Sequence, residues 1–307
     1  MSNHERGERM KKAPLFSICI PVYQGAGFIK KAISSIQSQT LDDWELIIVD
    51  NASTDSTWEI IQVEVIQDSR IRAFRNLSNL GAAANLNECL RHVQGAWIGF
   101  LAADDIYMPD AFSEIFQAVQ DSETFLWAHA HYSVYPEGRK DLIKPFDEAL
   151  RLPMGKLAEI FYLRGNLFGE ISCYFVRSRA LERMQGLLGE DRSTADVDFW
   201  MRIAFANPES FFRYSPAVLT ETSIHEASES SQYNKSGENW VDFFSFMEDF
   251  SAYCWPLSIR CRQACRAFYC LLRYGWRFTP EQRFAALRST ANILCRVMLP
   301  SQKHAIN

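Results

Sequence analysis

Several features that would set this chain apart are missing from it. Its eight cysteines (Cys19, Cys89, Cys173, Cys254, Cys261, Cys265, Cys270 and Cys295) include no CxxC pair. Cys261, Cys265 and Cys270 fit no usual zinc spacing and read as helical core. No run reaches the roughly 18–20 apolar residues of a membrane span. Internal repeats and low-complexity segments are absent. The first residues, MSNHERGERMKK, have no apolar signal-peptide core. The expectation is a reducing, cytoplasmic setting with free thiols. A positive charge excess is also lacking. The net charge of −5 and pI near 5.8 argue against a nucleic-acid partner.

What is present is unevenly spread. The 307 residues, 48% hydrophobic and 22% charged, suit one large domain or one and a half. From Ser251 onward nine Lys/Arg face a single acid, Glu281, leaving about +8 there and about −13 in the first 250 residues. Two readings of this basic region stand. One is an amphipathic packing extension with a solvated face. The other is docking at an anionic membrane, peripheral on the inner face of the cell membrane.

The first half alternates. LFSICIPV, WELIIVD, IRAFRN and AWIGFLA read as buried strands. Between and after them, GFIKKAISSIQSQ, TWEIIQVEVIQ, AAANLNECLRHV and DAFSEIFQAVQ read as helices, the first with an apolar stripe of Phe28, Ala32, Ile33 and Ile36. This predicts an α/β fold with a mostly parallel central sheet flanked by helices. TFLWAHAHYSVY reads as a strand pair or a strand and turn, ISCYFVRS as a strand, and KLAEIFYLRG, RALERMQGLL and DVDFWMRIAFA as helices. Three further helices form a C-terminal extension, with breaks at Pro256 and Pro280. The expected division is a flexible N-terminus (1–13), a main domain (14–235) and a helical extension (236–307), with the boundary in SQYNKSGEN.

Ligands of open α/β sheets sit at the carboxyl ends of the strands. The first strand ends in Pro21-Val22-Tyr23, the second in Asp50 and the fourth in Asp104-Asp105, while Asn76, Asn79, Gly81 and Asn85 surround a helix start. Adjacent acids at a strand tip act either as a turn and helix cap or as ligands of Mg²⁺ or Mn²⁺. Helix N-termini receive phosphates. The combination points to a metal-assisted nucleotide-diphosphate site. Gly25-Ala26-Gly27 imitates a dinucleotide fingerprint, but Lys30 stands at its third glycine position.

The runs FSICIPVYQGAGFIKKAISSIQSQTLDDWELIIVDNASTDST, RIRAFRNLSNLGAAANLN and GAWIGFLAADDIYMPDAF resemble the inverting glycosyltransferases of family 2, which have the GT-A fold. Further on, ADVDFWMR resembles the family's ED.DLWLR helix start and IHEASES its H..S.S turn, so the likeness spans roughly 14–232. The resemblance implies a transferase using a nucleotide-diphospho-sugar donor, a saccharide or lipid-linked acceptor and a divalent metal, Mn²⁺ or Mg²⁺. Pro21, Tyr23, Asp50, Asn79, Gly81, Asn85 and Asp104 would bind the donor, with Tyr23 and Asp50 on the base. Asp104, Asp105 and His225 would meet the metal, and Asp196 would be the catalytic base. Three departures stand out: Ala102 opens the usual D-x-D-D, Ala195 replaces the Glu before the base, and Thr222-Ser223 replaces Tyr-Arg before the His turn. Asp198 could share the base role. Trp200 reads as core and Arg202 as an ion-pair partner. The other functional class is a non-catalytic sugar-nucleotide-binding protein with a degenerate site.

Overall fold

Period-two alternation along strand β1 (Phe16–Val22) explains why the sheet is buried on both faces. Phe16, Ile18 and Ile20 join one core cluster and Cys19 the other. The structure, a computed structural model, describes residues 13–164, 170–184, 195–225, 238–251, 257–274 and 278–298. The expected domain boundary near 235, and nearly all of the expected flexible N-terminus, lie outside those residues.

Strands β2 (Trp44–Asp50), β3 (Ile71–Arg75) and β4 (Trp97–Phe100) extend β1, with β1–β2, β2–β3 and β1–β4 all parallel. Helices α1 (Ile29–Gln37), α2 (Thr57–Gln67) and α3 (Ala82–Leu90) are the crossovers. The short β5 (Ile106–Tyr107) and α4 (Ala111–Ala118) follow. Beyond them lie β6 (Thr124–Val134), β7 (Lys140–Ile143), β8 (Leu150–Pro153), α5 (Met154–Arg164), β9 (Tyr174–Arg177), α6 (Ala195–Ala206) and β10 (Phe211–Ser223). The sheet runs β3-β2-β1-β4-β9-β6-β10-β5, with β7 on β6 and β8 on β10. Strand β9 is antiparallel to both β4 and β6, so the sheet is mixed. Gly99 of β4 lies against Phe175 so closely that a Cβ would sit 2.4 Å from its ring.

The structure differs locally from the expectations. TFLWAHAHYSVY is a single strand, β6. The helix expected over RALERMQGLL is a 3-10 helix at Ser178–Arg183, and residues 185–188 of that stretch lie outside the described residues. Ser178 N donates to Ala96 O, and Arg177 donates to Thr124 O, so the chain is pinned as it leaves the sheet. The long β10 was not foreseen. Pro216 interrupts its pattern, and the structure absorbs it at a register shift between Ser215 and Val218. On α1 the buried stripe is Ile29, Ala32, Ile33 and Ile36, while Phe28 stands 41% exposed just before the helix.

Helices α7 (Glu238–Ser251), α8 (Leu257–Tyr274) and α9 (Pro280–Met298) follow. Their buried residues, among them Phe244, Met247, Ala267 and Ile293, continue the core cluster that holds α5 and α6.

Candidate active site

The strand order reverses between β1 and β4: the chain lays β2 and β3 on one side of β1 and returns to place β4 on the other. Such a reversal opens a crevice at the carboxyl ends of the strands. Tyr23, 49% exposed, and the half-buried Pro21 stand on one lip.

The Asp50 end is built from amides and one cation. Asp50 is fully buried. Its Oδ2 lies 3.0 Å from Arg75 Nε, and its Oδ1 accepts from Ser53 N at 3.2 Å. Arg75 Nη2 also donates to Ser53 O at 2.7 Å. Gln24 and Ala52 hold positive φ angles of 54° and 61° beside it. This uncommon backbone is fastened by Gln24 N donating to Ser53 Oγ and by Gln24 Oε1 accepting from Thr54 N and Asp55 N. The asparagines form one net. Asn51 Nδ2 donates to Asn79 Oδ1, Asn76 Nδ2 to Asn51 Oδ1 and Asn85 Oδ1, and Asn85 Nδ2 to Val49 O. Asn79 and Asn85 therefore hold the loop before α3. Gly81 joins that loop at φ 86°, a conformation suited to glycine, and caps the helix start.

The other end is carboxylate-rich. Asp104 Oδ2 lies 2.8 Å from His225 Nε2. The Phe28 ring stacks on His225 with centroids 5.1 Å apart and planes 8° from parallel. Asp105 turns inward and is buried: Oδ2 accepts from Ser172 Oγ at 2.6 Å and Oδ1 from Ser223 N at 2.8 Å. Ser223 Oγ donates to Asp104 O at 2.6 Å, and Ala102 N donates to Ser172 Oγ at 2.9 Å. Burial, and then the charge of Asp104, push the Asp105 carboxyl well above the usual carboxylate range.

Glu170, which precedes the 3-10 turn Ile171–Cys173, also faces this end. Its surface opens to solvent, yet crowding by the surrounding protein, then the charges of Asp196 and Asp104, push its carboxyl up to about 7. Asp196 is half-buried in the first turn of α6. On the same helix Asp198 pairs with Arg202 at 2.6 Å, and the buried Trp200 stacks on Tyr174 at 4.5 Å.

Arg75, Glu170, Ser172, Ser223 and Phe28 were not read from the sequence as site residues. A signal existed for Arg75, because it ends β3 in register with Asp50. Glu170 had none, lying in a connection with no pattern.

Fold and crevice define an α/β protein with its candidate site at the carboxyl ends of the strands, and the comparisons give its family. Residues 17–184 match glycosyl transferase family 2, and the chain belongs to that family, with the GT-A-like architecture. It is similar to an uncharacterized glycosyltransferase of Rickettsia conorii, 28% identical over 239 residues that cover 75% of this chain and 38% of that one. The chain thus spans little over a third of that relative's length. It is also similar to the Bacillus subtilis glycosyltransferase TuaG, named for teichuronic acid biosynthesis, at 37% identity over 97 residues (32% of this chain, 38% of TuaG). Among solved structures, residues 1–349 of TarS from S. aureus in complex with UDP-GlcNAc superpose with a TM-score of 0.72 at 16% identity, covering 92% of this chain and 81% of that one. That last likeness is one of fold.

Proposed function

We propose that the chain is an inverting glycosyltransferase. It would move a hexosyl-type sugar from a nucleotide-diphosphate donor to a hydroxyl of a saccharide or lipid-linked acceptor, in synthesis of a surface polysaccharide or lipid-linked oligosaccharide. Residues 14–235 would form the transferase unit and 236–307 its helical extension. The carrying observation is the division of one crevice between an Arg75-paired Asp50 and a carboxylate-rich end around Asp104.

At the first end, Asp50 accepts from a ring N–H while Arg75 donates to the carbonyl beside it. Uracil, thymine and guanine offer that pair; adenine and cytosine do not. Tyr23 and Pro21 border the base, and the N-terminus of α3 behind Gly81 faces the phosphates.

The second end offers two side chains to a divalent cation, Asp104 and His225, for no group of three or more His, Cys, Asp or Glu side chains able to hold a metal stands among the described residues. Asp104 and His225 already converge at 2.8 Å, and burial first, then the charge of neighbouring carboxylates, raises the carboxyls of Asp105 and Glu170 beside them. Such a cation is commonly held by one or two carboxylates and completed by substrate phosphates. Mn²⁺ or Mg²⁺, when bound, supplies Lewis-acid stabilisation of the charge on the leaving diphosphate. Asp104 and His225 hold it. Asp105, with both oxygens engaged by Ser172 and Ser223, braces the loop that presents Asp104. Asp196 takes the proton of the acceptor hydroxyl as its oxygen attacks the anomeric carbon from the face opposite the diphosphate. Glu170 feels the charges of both Asp196 and Asp104. It restores by tertiary contact a second carboxylate near the base, which Ala195 lacks.

The test is thermal stabilisation of the purified chain by UDP, dTDP, GDP and ADP, with and without Mn²⁺. The expected result is a Mn²⁺-dependent shift with one of the first three and none with ADP, abolished in Asp104→Ala. Stabilisation without sugar transfer would favour the non-catalytic sugar-nucleotide-binding protein.

A further inference from the structure

Helices α8 and α9 carry several large apolar side chains on the outside. On α8, Phe268, Tyr269 and Leu272 are 51%, 58% and 68% exposed. They continue at helical spacing from the exposed Cys261 and Cys265, so the stripe runs along most of the helix. The opposite face buries Ala264, Ala267 and the amide of Gln263, whose nitrogen and oxygen both lack a partner. On α9, Phe284, Leu287 and Leu294 are 70%, 49% and 43% exposed, while Ala286, Ser289 and Thr290 are buried. The inward faces are mostly small or polar, with Ile259 and Ile293 the large aliphatic exceptions, while the bulkier apolar side chains point outward. This is the reverse of α1, which buries Ile29, Ile33 and Ile36.

The exposed charges on these two helices point one way. Arg262 and Arg273 on α8, and Arg283 and Arg288 on α9, are exposed, against a single exposed acid, Glu281. Apolar stripes bordered by arginines match a surface that is apolar beneath and anionic on top. A second copy meeting this face through a two-fold axis would set arginine against arginine. No helix among the described residues is long and apolar enough to cross a membrane, so the contact is with a surface.

We propose that the outer faces of α8 and α9 dock the chain on an anionic lipid bilayer. Phe268, Tyr269, Leu272, Phe284 and Leu287 enter the headgroup boundary, and the arginines meet lipid phosphates. The contact does not depend on the transferase reading, and its readout needs no activity.

The experiment is flotation of the full chain with vesicles of phosphatidylcholine alone and of phosphatidylcholine mixed with phosphatidylglycerol. Binding is expected with the mixed vesicles and is expected to weaken in high salt. Arg262→Gln and Arg288→Gln should each lower it about fivefold. Phe268→Ser with Leu272→Ser on α8, and Phe284→Ser with Leu287→Ser on α9, should each lower it more than tenfold. These side chains are exposed, so folding should survive, and unchanged nucleotide-induced thermal shifts or circular dichroism would verify it. Maleimide labelling followed by peptide mass spectrometry adds a second readout: Cys261, Cys265 and Cys295 should react freely in solution and slowly on mixed vesicles. Failure of the folded chain to float, or equal binding by all variants, overturns the proposal. So does protection of these thiols in solution together with a doubled mass, which would assign the face to another copy.

Discussion

At the Asp50 end of the crevice, one buried carboxylate meets Arg75 and a backbone amide inside the protein; at the other end Asp104 meets His225, and Asp105 and Glu170 both feel the charge of Asp104, Glu170 that of Asp196 as well. The first end is electrically complete and offers directed hydrogen bonds, which suits a neutral, planar base. The second gathers carboxylates whose charges act on one another, which suits a cation and the phosphates it brings. Recognition and chemistry are thereby separated along one sheet edge. Changes at one end should leave the signature of the other intact.

The largest effect should come from Asp196→Asn. Sugar transfer is expected to fall by a factor on the order of 10²–10⁴, the range of a lost general base. Mn²⁺-dependent stabilisation by nucleotide should persist. Loss of both together would mean that Asp196 supports the cation end and not the acceptor.

Asp50→Asn comes next. It replaces an acceptor with a group that also donates, and nucleotide affinity should fall roughly 10–100-fold by calorimetry. The dependence on Mn²⁺ should remain. If that dependence vanished as well, the two ends would be coupled and the contrast between them wrong.

Beneath the carboxylate end, β6 carries two buried histidines. Burial pushes His129 down to about 3 and His131 down to about 4. Both are neutral in the fold, so their contribution is full above pH 6.5. Below that, the unfolded chain takes protons that the folded chain refuses, and stability is lost at roughly 1.4 kcal/mol per pH unit for each histidine until its folded pKa is reached. His131→Leu should flatten this slope between pH 6.5 and 4 in chemical denaturation. An unchanged slope would put the acid sensitivity elsewhere, in the carboxylates above.

Phe28→Ala should be the mildest change. It removes the ring that stacks on His225, and the Mn²⁺ concentration needed for half-maximal nucleotide stabilisation should rise about threefold. Base selectivity should not move.

Much of the site was visible along the chain because the strands that present it are short, apolar and closed by polar tips. Pro21, Tyr23, Asp50 and Asp104-Asp105 could be placed on one edge from the alternation of strands and helices alone. The asparagines were legible as a loop but not as a net, since their bonds join residues up to 36 positions apart, as between Asn85 and Val49. Strand β10 stayed hidden because Pro216 breaks its pattern and only pairing with β6 and β8 rescues it. Phe28 fits the helical period and was read as core, yet it lies one step before α1 and turns toward His225.

The chain's own pattern was sufficient for the α/β order, the strand-end carboxylates and the family, because strand and helix periodicity and turn chemistry are local properties. Tertiary structure alone decided which carboxylate is braced and which is presented, for Asp105 is engaged by Ser172 of a 3-10 turn and Ser223 of β10, both far along the chain. It alone brought Glu170 toward Asp104 and Asp196, and turned the apolar stripes of α8 and α9 outward. Amphipathic spacing says that a helix has two faces; only packing against neighbours says which one is covered.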